Sequence, residues 1–173
     1  MLVTSAIIDD LSRNFPIASI GTSWQLFTDR VMGGASNGTL VRDTVAGRAA
    51  IRIRGNVSLE NNGGFVQMSL DLTPDHGFVD ASAWRGVELD VIGNSQQYNF
   101  HLRTEDLTRP WQSYRQTFKA EEQWQTIQLG FENFLPHRTD IALDTHRLRR
   151  IGIVAIGRMF TADLAVGGVR HFA

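Results

Sequence analysis

A chain of 173 residues carrying 17 basic and 18 acidic side chains, net charge −1, has no global field to draw it to nucleic acid or an anionic membrane. It contains no cysteine, which excludes disulfides, thiolate metal sites and cysteine nucleophiles. Hydrophobic residues at 42% and charged residues at 20% are ordinary for one globular domain over 1–173, and 16 glycines against 4 prolines suit a turn-rich β fold.

The apolar spacing at positions 7, 8, 11 and 15 is helix-like, with a short first strand as the alternative. Strand signals follow. Trp24 to Phe27 is one. Arg48 to Gly55 sets Ala49, Ile51 and Ile53 against Arg52 and Arg54, and Phe65 to Leu70 gathers Val66, Met68 and Leu70 on one face. Leu72 to Ala83 is a loop expected to carry a short helical turn. Val87, Leu89 and Val91 then alternate with Glu88 and Asp90, and Tyr98, Phe100 and Leu102 with Asn99, His101 and Arg103. Tyr114 and Phe118 oppose Ser113, Arg115 and Thr117, while Ile127 and Leu129 oppose Thr126 and Gln128. After a long connection from Leu135 to His146, Ile151 to Ile156 and Leu164 to Phe172 close the chain. About nine strand candidates, several of period two, spaced by turn residues, predict an all-β fold, an antiparallel β-sandwich or jelly roll.

No apolar run reaches the ~20 residues of a membrane helix. The first ten residues lack the basic segment of a signal peptide, so the expected location is cytoplasmic, without direct membrane insertion. The densest basic run, Arg147 to Arg150, reads as a solvated flank of a strand rather than a nucleic-acid contact.

Two glycine-rich strings stand out. Asp29-Arg30-Val31-Met32-Gly33-Gly34-Ala35-Ser36 lacks the Lys-Ser/Thr of a phosphate loop. The plain reading is a tight loop whose Asp29 bonds nearby amides. Leu59-Glu60-Asn61-Asn62-Gly63-Gly64-Phe65 has the composition of a hairpin or bulge. Oxygens of Asp29, Glu60 and Asn61 fall short of the ~6–8 ligands of a calcium site. The histidines at 76, 101, 137, 146 and 171 form no short ligand pair, and no nucleophile elbow occurs. No catalytic residue, metal or cofactor is therefore expected.

The polar strand faces are a second candidate surface. Asn99, His101, Arg103 and Arg115, with Trp111 at the edge, offer hydrogen-bonding groups beside an aromatic platform, as a sugar site requires. If their strands are neighbours, Thr126 and Gln128 extend the same face. The bland alternative is cross-strand pairing of Glu88 or Asp90 with Arg103 or Arg115. Trp24, Trp84 and Trp124 read as packing residues.

Taken in order, these strings resemble the complex I intermediate-associated protein family. The resemblance rests on Trp24, Asp29 to Gly34 with Ser36, Leu59 to Phe65, Arg85-Gly86-Val87-Glu88-Leu89, Tyr98 to Arg103, Trp124, Ile127, Leu129, Phe131, Phe134 and Ile151-Gly152-Ile153. It spans about 24–169. Gly130 stands where the family often has proline, and Gly93-Asn94-Ser95 replaces its usual Gly-Asp-Gly turn. The resemblance implies a galactose-binding-domain-like jelly roll, akin to some carbohydrate-binding modules. It also implies assistance in assembling a respiratory or photosynthetic membrane complex, without catalysis.

The expectation is thus a non-enzymatic module whose partners are protein subunits of a larger complex. Asp29, Arg30, Met32, Gly33, Gly34, Ser36, Asn61 and Asn62 are its binding loops. The alternative partner is a glycan, held on Asn99, His101, Arg103, Trp111 and Arg115.

Overall fold

The computed structural model describes residues 1–173, and its architecture is two six-stranded antiparallel sheets packed face to face. The strands in chain order are β1 (Ile7–Asp9), β2 (Gln25–Thr28), β3 (Asn37–Val45), β4 (Arg48–Val57), β5 (Phe65–Asp71) and β6 (Gly86–Ile92). There follow β7 (Gln96–Thr104), β8 (Ser113–Ala120), β9 (Gln125–Gly130), β10 (Leu135–His137), β11 (Leu148–Ile156) and β12 (Phe160–Phe172). The first sheet runs β3-β4-β12-β6-β9, with β1 on β12; the second runs β10-β8-β7-β11-β5-β2.

Alternation explains why the layers hold. Met68 and Leu70, Tyr98, Phe100 and Leu102, and Ile151 and Ile153 point inward from the second sheet and meet Ile51, Ile53, Val87, Leu89, Val91, Leu164 and Val166 of the first in one buried core. Burying a side chain of this size stabilises by ~1.5–3 kcal/mol, so the pattern fixes which face of each strand is outside.

All nine strands expected from the periodicity are present. Three others are shorter or carry a weaker apolar signal. The helix-like stretch after Ile7 contains only the three-residue β1, paired irregularly with β12. The connection from Leu135 begins with β10, an edge strand on β8. β3 pairs with β4 through a two-residue turn, Ala46-Gly47, with φ of 48° and 80°. This turn matches the right-handed strand twist. Leu72 to Ala83 forms bends and turns without a helix.

One expectation is corrected by the strand order. β9 pairs with β6 in the first sheet, not with β8. Thr126 and Gln128 therefore belong to the other side of the molecule, where they bond Asp90 and Glu88. Those two acids pair with Arg48 and Arg170 rather than with Arg103 or Arg115.

Candidate functional site, a basic cleft on the second sheet

With Tyr98, Phe100 and Leu102 in the core, Asn99, His101 and Arg103 emerge on the outer face of the second sheet. Ser113, Arg115 and Thr117 emerge beside them from β8. Register sets His101 between Arg115 and Gly152, and Arg103 beside Arg150. A cleft of about 780 Å³ covers this face, lined also by Gln67, Trp111, His137, Arg138 and Arg149.

The loops at 29–34 and 60–64 border the same cleft, reaching it with Val31, Met32, Asn62, Gly63 and Gly64. They are locked to each other by Asp29. This carboxylate is fully buried and accepts from the Ser36 amide (2.9 Å), the Ser36 hydroxyl, and the amides of Gly64 and Phe65. Burial pushes its pKa up, but these hydrogen bonds outweigh that and hold it below the usual aspartate value. The glycines follow from this clamp. A Cβ on Gly34 or Gly63 would lie 2.5 Å from an Asp29 carboxylate oxygen, so neither position has room for a side chain. Asn61 Nδ2 donates to the Gly33 carbonyl (3.1 Å), and Arg30 Nε donates to the Ser36 carbonyl (2.8 Å).

Of the eight loop residues, Asp29 and Ser36 are thus interior clamps, and Arg30 and Asn61 brace the backbone. Met32, 64% exposed, and Asn62 face the cleft. Of the five polar-face residues, His101, Arg103, Trp111 and Arg115 line it, whereas Asn99 lies outside it and accepts from Thr117 (2.8 Å).

Arg103 holds the loop between β7 and β8. One of its terminal nitrogens donates to the carbonyls of Arg109, Pro110 and Gln112 at 2.9, 3.2 and 2.7 Å. Trp111 sits on that loop, 54% exposed. It approaches the cleft from the strand end opposite to the 29–34 and 60–64 loops. The other three tryptophans are engaged in packing. Trp24 is buried and donates to Asp9, Trp84 donates to the Val3 carbonyl, and Trp124 lies under Arg48.

The electrostatics are one-sided. Five arginines and two histidines line the cleft, and no aspartate or glutamate does. Only Arg150 has a carboxylate partner, Asp71 at 2.7 Å. Burial, then Arg150 and Arg149, lower the pKa of Arg103; burial, then Arg138, lower that of Arg115. His101 is 7% exposed and pushed down to about 3 by burial, then by Arg115 and His137. It is neutral at physiological pH, and its Nε2 is buried without a hydrogen-bond partner.

Gln67, His137, Arg138, Arg149 and Arg150 are cleft residues that the linear pattern did not single out as a site. Arg149 and Arg150 belong to the run read as a solvated flank, and only the insertion of β11 between β7 and β5 turns that flank into cleft lining.

The comparisons with known proteins agree with this architecture. The model of the family complex I intermediate-associated protein 30 (CIA30) matches residues 14–166. The chain belongs to the CIA30 family. No curated protein matches it. Among solved structures, this CIA30-family fold is similar to the family 11 carbohydrate-binding module of cellulosomal cellulase Lic26A-Cel5E of Clostridium thermocellum. The TM-score is 0.77 and the identity 12%, covering 99% of this chain and 95% of that one. The same organism's family 11 module in complex with a β-1,3-1,4-mixed-linked tetrasaccharide gives 0.75 and 13%, covering 98% and 95%. The family 30 module of its cellulase Cel9D-Cel44B gives 0.59 and 13%, covering 78% and 82%. At such identities the likeness is one of fold: a jelly roll of the galactose-binding type, here carrying a CIA30 sequence.

Proposed function

We propose that this CIA30-family protein is a non-catalytic binding module that docks on protein subunits of a larger membrane complex, respiratory or photosynthetic, during its assembly. The observation that carries the reading is the mouth of the cleft. Val31 (72% exposed) and Met32 at one end and Trp111 at the other present apolar surface, on loops fixed by Asp29 and by Arg103. Exposed aromatic and thioether groups on a pre-ordered frame suit a protein partner, because little ordering cost is paid on binding. Membership of the family adds weight. No carboxylate lines the cleft, so it offers no acid–base pair for hydrolysis.

The test is affinity capture of the tagged protein from its own cells. Reproducible subunits of one membrane complex are expected, depleted at least tenfold by the double substitution Met32→Ala, Trp111→Ala. Recovery undiminished by that substitution would sink the reading.

A second reading, carbohydrate binding, draws on Trp111 and the amide side chain of Gln67 in one cleft, and on the likeness to a module solved with a tetrasaccharide. Titration with a β-1,3-1,4-linked tetrasaccharide separates the two. Saturable binding that Trp111→Ala abolishes would favour the glycan, and no binding up to millimolar concentration would remove it.

A further inference from the structure

The proposed docking cleft has a charge that says what kind of segment it takes. Each arginine placed next to another costs free energy unless an anion lies near. On the opposite sheet the central arginines sit among their own carboxylates: Arg52 meets Asp43 and Asp163, and Arg170 meets Glu88 and Asp90. In the cleft, Arg103, Arg115, Arg138 and Arg149 have none within ion-pair distance.

His101 lies at the floor of the cleft, 7% exposed, with its Nε2 buried and without a hydrogen-bond partner, as are Thr104 Oγ1 and His171 Nδ1 elsewhere. His101 stands in register with Arg115, whose Nε donates to Ser113 Oγ at 2.8 Å. Arg115's terminal nitrogens make no hydrogen bond within the chain. Guanidinium forks of this kind match a carboxylate in a bidentate manner.

We infer that the cleft recognises an acidic peptide segment of the partner, with a carboxylate seated on Arg115 beside His101. This rests on the protein-docking reading and narrows it. A neutral glycan fits less well, because it carries no charge to answer the four arginines without a carboxylate partner. A uronic-acid glycan would satisfy the arginines but would leave Val31 and Met32 without apolar contact. A nucleic acid would need stacking platforms, and Trp111 is the single exposed aromatic in the cleft.

The experiment is a titration of the full chain with short poly-L-glutamate, monitored by calorimetry. Oligogalacturonate, the neutral mixed-linked tetrasaccharide and a single-stranded oligonucleotide are titrated in parallel. The expected result is binding of polyglutamate alone, weakened at least tenfold by Arg115→Gln and reduced by raising salt from about 50 to 300 mM. Tighter binding of oligogalacturonate, the neutral glycan or the oligonucleotide overturns the inference, as does no binding of polyglutamate. Arg115 lies on the outer face without a carboxylate partner, so Arg115→Gln is expected to fold, and circular dichroism checks this. Capture from cells separates the two levels of the argument. If Arg115→Gln still recovers the same subunits as wild type, docking stands and the acidic-segment inference falls.

Discussion

The two outer faces of the sandwich use the same residue types to opposite ends. On the first sheet, Arg52 holds Asp163 through two bonds of 2.8 Å and reaches Asp43 at 3.2 Å. Asp90 accepts from Arg170 at 2.8 and 3.0 Å, from Arg48 at 2.8 Å and from Thr126 at 2.7 Å. On the second sheet, arginines of β7, β8 and β11 lie together with one carboxylate, Asp71, among them. The first face closes its charge around Arg48, Arg52 and Arg170. The second leaves charge open over a concave surface, which is the electrostatic condition for binding something of opposite sign. An arginine on a strand is therefore uninformative until its cross-strand neighbours are known.

Substitutions break or sharpen that contrast in a definite order. The largest effect is expected at Asp29, the clamp of the cleft's rim. Asp29→Ala would strand four buried donor interactions and cost about 3–5 kcal/mol in urea unfolding. Next comes the paired face, where Asp90→Ala removes the shared acceptor of Arg170, Arg48 and Thr126 and leaves Arg170 with Glu88 alone, at a cost of about 2–3 kcal/mol by the same measurement. Arg170 first, and Thr126 and Arg48 with it, hold Asp90 well below the ordinary value of 3.8 against the opposing effect of burial. Because the folded pKa is depressed, its contribution is complete above 3.8 and is lost as pH falls through the folded pKa. Unfolding free energy followed from pH 6 downward should fall less steeply in Asp90→Asn than in wild type. The smallest effect on stability belongs to the open face, where Arg115→Gln should stay within about 0.5 kcal/mol of wild type. A large loss there would mean that Arg115 is structural, and the contrast between the faces would collapse.

The fold was largely legible in the sequence because burial imposes period two. Ile51 and Ile53 against Arg52 and Arg54, or Tyr98, Phe100 and Leu102 against Asn99, His101 and Arg103, announce strand and orientation together. β3 escaped because it is an edge strand in which Leu40 packs on the core while most other side chains stay partly exposed. β10 is three residues, includes Pro136 and buries none of them. The site was legible in parts. His101, Arg103, Arg115 and Trp111 could be named from strand faces, and the two glycine-rich loops from composition. Their union could not, because it depends on β11 lying between β7 and β5 and on β9 leaving for the other sheet. Asp29 illustrates the same limit. Its bonding to nearby amides could be read from its own string, but its bonds to Gly64 and Phe65 of the second string could not.

The brace that Arg103 places under the loop carrying Trp111 has a practical consequence. Three of the four indoles have their N–H groups fixed to Asp9, Val3 and Val45 within the protein, and only Trp111 stands in water at the cleft. Its emission is the part of the intrinsic fluorescence poised to shift when the cleft fills. Occupancy becomes readable by eye of the spectrometer without any label, and Trp111→Phe provides the dark control.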